Sequence, residues 1–163
     1  MLALYRSAFY LGIASGATLK ERLAMTRRSD TISILAGANV LLAALALIDF
    51  VGHLLVAGNY GYFRDELYYI AGGRRLAFGY VDFPPMIAVL AALMRALIAD
   101  NLIAIHVVSA FAGSCLVLVT GLMARELGGS RFAQALAALA ALVTLVFMAT
   151  ASIFSMDILD ALW

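Results

Sequence analysis

The sequence predicts an all-α, polytopic membrane protein, and three observations carry that prediction. Of its 163 residues, 65% are hydrophobic and 13% charged, about half the charged share of an ordinary soluble domain. Mean hydropathy is +1.01, so polar side chains cannot cover a water-facing surface and lipid must solvate much of the chain. Long apolar stretches at 32–56, 102–124 and 132–149 each approach the ~20 residues that a helix needs to cross ~30 Å of hydrocarbon. Finally, Lys20, Arg22, Arg27 and Arg28 all precede the first stretch, as expected of a cytoplasmic flank.

The elements follow in order. Residues 1–31 read as a cytoplasmic N-terminal segment. Its first 19 residues are moderately apolar and contain Arg6; they suit a surface helix or reflect start-site choice, and lack the apolar core and small-residue site of a cleaved signal peptide. The stretch 32–56 is apolar apart from Ser33, Asn39, Asp49 and His53, and is the first expected span. An outer loop over 58–100 follows. Within it, 62–76 reads as a short amphipathic helix with Phe63, Leu67, Ile70 and Ala71 at helical spacing, opposite Arg64, Tyr68 and Arg75. In that helix Asp65 and Tyr69 stand one turn apart.

Residues 86–99 form a shorter apolar run that contains Arg95, suited to an interfacial or re-entrant helix. The preceding Pro84-Pro85 suits a helix start, since the first turn needs no backbone donors. The span 102–124 then returns inward, placing Arg125 and Arg131 on the expected cytoplasmic side. The Ala-rich span 132–149 runs outward, with Ala133, Ala137, Ala140 and Ala141 as close-packing positions. The chain closes at 158–163 as another apolar segment begins, so an N-terminal portion of a longer multi-pass protein is expected, inactive by itself.

Net charge is +1, which gives no footprint for a nucleic-acid partner. The single cysteine, Cys115, excludes an internal disulfide framework and reads as packing. His53 and His106 lack the spacing of a zinc site and read as interfacial or packing residues. Glu126 beside Arg125 reads as solvated, and Asp49, inside the first span, has no assigned role. The carboxylates are more informative. Span parity brings Asp65, Glu66, Asp82 and Asp157 to one membrane face, where an ionisable residue is costly unless solvated, paired or bound to a cation.

The strings YFRDELYY at 62–69 and GYVDFPP at 79–85 resemble the GT-C membrane glycosyltransferases. More narrowly they are similar to the dolichyl-phosphate-mannose protein mannosyltransferase-like group, which includes bacterial aminoarabinose transferases. In that group the first outer loop carries an Asp or Asp-Glu pair, then an acidic residue shortly before Pro-Pro, and another acidic residue follows the third span. The match in order and spacing covers roughly residues 32–163.

The resemblance implies transfer of a sugar from a polyprenyl-phosphate carrier to an acceptor on the outer face, with inversion, in a bacterial inner membrane. It makes Asp65 and Glu66 the catalytic carboxylates, Asp65 being the base that takes a proton from the acceptor hydroxyl. Asp82 falls at the acidic position before Pro-Pro and Asp157 at the one after the third span. Some relatives carry Lys or His where this chain has Phe83, so a cationic contact to the donor phosphate falls to Arg64, Arg74 or Arg75, with Tyr69 nearby for substrate. Asp65 and Asp157 are oxygen ligands suited to Mg²⁺ or Mn²⁺. Two readings from other classes stand beside this one: a transporter or channel fragment, and a non-catalytic membrane scaffold.

Overall fold

The computed structural model describes residues 19–163, with side chains described from residue 37 onward; the expectations for the first 18 residues lie outside it. Every regular element among the described residues is helical: α1 Leu19–Val56, α2 Arg64–Gly73, α3 Pro85–Leu97, α4 Leu102–Glu126, α5 Arg131–Val143, α6 Leu145–Ser152 and α7 Met156–Leu162. The described residues divide into two compact units at position 40, and the candidate site residues all lie in the second. Two helical segments are long and apolar enough to cross a membrane: Gly37–Val56 within α1, and α4.

Local sequence sets the boundaries. Pro84 is the N-cap of α3 and Pro85 its first residue, where a missing N–H costs nothing. Asn101 caps α4 by accepting from the Ala104 N–H at 2.9 Å, and Ser130 caps α5 through the Ala133 N–H at 3.3 Å. At the end of α4, the Gly129 N–H reaches Ala124 O and the Gly128 N–H reaches Arg125 O. This Schellman pair needs a left-handed residue, and Gly128 supplies it with φ of 83°.

The third apolar stretch is not one straight helix. α5 and α6 meet at a 58° bend, with Thr144 extended (φ −69°, ψ 116°) between them. The Thr144 hydroxyl donates to Ala140 O at 2.7 Å, an attachment that competes with the helical ladder and bends helices. Neither glycine nor proline is present to announce the break. α3, at 13 residues, extends about 20 Å and so falls short of the hydrocarbon thickness.

Within unit 41–163, α1 and α4 run antiparallel. Leu42 lies level with Gly121, Asp49 with Gly113, Phe50 with Phe111 and Ala57 with His106. Glycine is required at two of these levels. A Cβ at Gly113 would stand 2.7 Å from the Ala151 Cβ and 3.4 Å from Asp49 Oδ2, and one at Gly121 would strike Leu42. On α5 the buried positions are Gln134, Ala138 and Ala141, while Ala140 is exposed. The close-packing stripe therefore runs through Ala138 and Ala141, a register partly offset from the alanines expected for it.

Two carboxylates sit deep in this unit. Asp49, 8% exposed, lies 3.5 Å from His53 Nε2. His53 Nδ1 in turn meets the Ser152 hydroxyl at 3.2 Å, whose proton goes to Met148 O at 2.7 Å. The second buried carboxylate, Glu66, holds the candidate site in place.

Candidate functional site

Consecutive residues of a helix point ~100° apart, and α2 uses this to send two neighbouring carboxylates in different directions. Glu66 points inward and is 0% exposed, while Asp65 is half-buried at the surface. Glu66 Oε2 accepts from the Phe63 N–H at 2.8 Å, the reach-back that closes the first turn. Its Oε1 accepts from the Phe154 N–H at 2.6 Å and faces His106 Nε2 at 2.7 Å.

His106 Nδ1 lies 3.1 Å from Ala57 O. A carbonyl can only accept, so Nδ1 carries a proton. Burial pushes the Glu66 carboxyl up, but the hydrogen bonds from His106, Phe154 and Phe63 outweigh burial and hold it below its usual 4.5. The buried Glu66–His106 pair joins α2, α4, the 57–63 turn and the 153–155 turn.

Glu66, expected beside Asp65 as a catalytic carboxylate, has no exposed surface and three hydrogen-bond partners on its two oxygens, whereas Asp65 stands at the surface. His106 packs, as expected, against Glu66.

The buried face of α2 is not its apolar stripe. Phe63 and Leu67 are about half exposed and Ala71 is exposed. Burial falls instead on Glu66, Tyr69, Gly72 and Gly73. The two glycines admit α3 and its approach: a Cβ at Gly72 would stand 2.9 Å from the Phe83 ring, and one at Gly73 2.9 Å from Ala88 O.

Phe83 organises the surrounding loop. It is 5% exposed, stacks on Tyr80 at 4.3 Å, and meets Tyr68 and Tyr69 edge-on at 5.0 and 5.1 Å. Such pairs add roughly 0.5–1.5 kcal/mol each beyond area burial. The Tyr80 hydroxyl accepts from the Ala77 N–H and shares its proton between Gly72 O and Arg75 O, both at 2.8 Å. Residues 74–82 are thereby tied to the end of α2.

On this frame an open cleft of about 500 Å³ is lined by Arg64, Asp65, Tyr68, Tyr69, Asp82 and Phe83. Arg64 Nε donates to Asp65 Oδ1 at 3.0 Å, and the Tyr68 hydroxyl donates to Asp82 Oδ2 at 3.3 Å. Tyr69 is raised above the usual phenol range by burial first, then by the negative charges of Asp65 and Asp157. Tyr68 is raised as well, by desolvation and by Asp82. Both phenols therefore stay protonated near neutral pH and present O–H donors.

Asp157, in the first turn of α7, is thus brought within electrostatic reach of the cleft from a distant part of the chain. Arg74 and Arg75 do not line the cleft. Arg74 pairs with Asp100 at 3.7 Å beside a separate cavity, and Arg75 contributes its carbonyl to Tyr80. Among the described residues no group of three His, Cys, Asp or Glu side chains is arranged to hold a metal ion.

No family model, curated protein or solved structure matches the chain. The described residues define the class: they are all-helical, include two helices long and apolar enough to cross a membrane, and carry a carboxylate- and tyrosine-lined cleft.

Proposed function

We propose that this chain serves an inverting membrane glycosyltransferase activity that moves a sugar from a polyprenyl-phosphate carrier to an acceptor on the outer face of the membrane. The observation that carries the reading is a cleft whose lining brings Asp65, Tyr68, Tyr69 and Asp82 together, with Asp157 in electrostatic reach of Tyr69. A volume of about 500 Å³ falls within the ~300–1,000 Å³ range of ligand pockets.

Asp65 is the base. It is half-buried, stands at the cleft surface, and accepts only one hydrogen bond, from Arg64. It takes the proton of the acceptor hydroxyl as that oxygen attacks the anomeric carbon. The phosphate leaves from the opposite side with the bonding electrons, which inverts the centre. The Tyr69 O–H orients substrate as a neutral donor, and Arg64 sets the direction of the Asp65 carboxylate. Asp82 and Tyr68 hold the far wall. If the donor arrives with Mg²⁺ or Mn²⁺, Asp65 and Asp157 are the residues that would hold the ion, which would add positive charge at the departing phosphate.

Asp65→Asn in the full-length protein tests this. Loss of ~10²–10⁴-fold in turnover is expected, with carrier-lipid binding retained. Turnover at the wild-type rate removes Asp65 from the chemistry. A transporter is favoured by one separate observation: the 58° break at Thr144 lies on the helix pair whose Ser152 meets the Asp49–His53 pair inside the unit, a combination seen in transport pathways. Solute flux in proteoliposomes that vanishes with Asp49→Asn, but survives Asp65→Asn, selects that reading.

A further inference from the structure

A second cavity, of about 210 Å³, opens on the other side of α2 and shares no lining residue with the Asp65 cleft. Arg74 from the end of α2 and Arg95 from the last turn of α3 line it. Asn101 and Ile105 at the start of α4 do so too, over a floor that includes Leu67 and Tyr62. Its charged groups are Arg74, Arg95 and Asp100: two cations against one anion, a balance of +1. Asp100 faces Arg74 at 3.7 Å. Arg95 pairs with no carboxylate among the described residues.

A cation in the last turn of a helix offsets the dipole there. That accounts for each arginine separately, but not for both lining one cavity with an apolar floor. The cavity also sits where α4, a helix able to cross a membrane, begins, which is the level of lipid headgroups. Its volume lies below the ~300 Å³ at which pockets begin to hold whole drug-sized ligands. It therefore suits a headgroup and the first carbons behind it, not a complete glycolipid.

We propose that this cavity binds the phosphate of an anionic membrane lipid, held by the guanidinium groups of Arg74 and Arg95, with Tyr62, Leu67 and Ile105 against the adjoining carbons. Arginine suits the task because its planar fork meets two phosphate oxygens at once. The inference rests on the membrane location of the chain and not on glycosyl transfer, so failure of either leaves the other standing.

Binding to the full chain in detergent is measured by native mass spectrometry with phosphatidylglycerol, phosphatidylcholine and polyprenyl phosphate as separate probes. Phosphatidylglycerol should bind more tightly than phosphatidylcholine. Arg74→Ala and Arg95→Ala should each weaken it about fivefold and the pair about 25-fold, with phosphatidylcholine unchanged. The lysine variants should lose less, which separates lost charge from a lost fold. Polyprenyl phosphate that competes with phosphatidylglycerol places the carrier's phosphate in the same site; absence of competition leaves bilayer phospholipid as the ligand, and both outcomes support a lipid phosphate. Equal binding of the two phospholipids, or an unchanged double variant, overturns the proposal. Displacement by inorganic phosphate at millimolar concentration overturns its lipid part.

Discussion

Glu66→Ala removes the acceptor that three donors share. His106, 2% exposed, loses its carboxylate partner, and the Phe154 N–H loses the partner it holds at 2.6 Å. Removing one member of a buried ion pair costs roughly 3–5 kcal/mol, because the remaining charge is left uncompensated. Each orphaned buried donor costs about 1–3 kcal/mol, a loss partly contained in the first figure. We expect a total near 4 kcal/mol, a large share of the ~5–15 kcal/mol that keeps a domain folded.

The double substitution Glu66→Leu with His106→Leu removes both partners together and should recover most of the loss, leaving the Phe154 amide as the residual defect. Thermal unfolding in detergent of the wild type, both single variants and the double variant provides the cycle. A Glu66→Ala protein within about 0.5 kcal/mol of wild type refutes the argument that the pair acts as a buried ion pair.

Two further outcomes follow from the same contacts. Because the folded Glu66 carboxyl is held below its usual 4.5, its contribution to stability is complete above about pH 4.5 and is lost as pH falls through the lower folded value. Glu66→Gln should remove that acid-dependent part, which a comparison of unfolding midpoints between pH 3 and 6 checks. Phe83→Ala should cost about 3–5 kcal/mol and reduce activity as well, since Tyr68, Tyr69 and Tyr80 all rest on that ring; an unfolding midpoint at the wild-type value contradicts this.

Much of the fold was legible because its signals are local. Pro84-Pro85, read in the sequence as a helix start, begins α3; the Asn101 and Ser130 caps and the Gly128 turn are equally local signals, found only in the structure. The break at Thr144 carries no such mark, since a threonine that bonds back to its own helix looks like any other threonine in an apolar run. The inward face of α2 carries no mark in the hydropathy pattern either. Phe63, Leu67, Ile70 and Ala71 form an apolar stripe, yet the buried side is the one bearing Gly72 and Gly73. Glycine adds nothing to a hydropathy pattern, and its value here is the close approach of Phe83 and Ala88.

The same limit hid the Glu66–His106 pair. Nothing in the spacing of residues 40 apart says which of two adjacent carboxylates will find a buried imidazole. Asp65 was legible as a surface carboxylate one turn from Tyr69, and the structure lines the cleft with both. Arg74 was legible as a cation of the loop, but the cavity it lines is fixed by the direction in which α2 ends.

The central claim is that Asp65, Asp82 and Asp157 serve one site on one side of the membrane. Single cysteines at positions 65, 82, 128 and 157 of the full-length protein, introduced after Cys115→Ala, test it with an impermeant thiol reagent on intact cells. The account predicts that 65, 82 and 157 label from outside and that 128 labels only after permeabilisation. Labelling of 157 from the inside would contradict it, because Asp157 and Asp65 would then lie on opposite faces of the membrane.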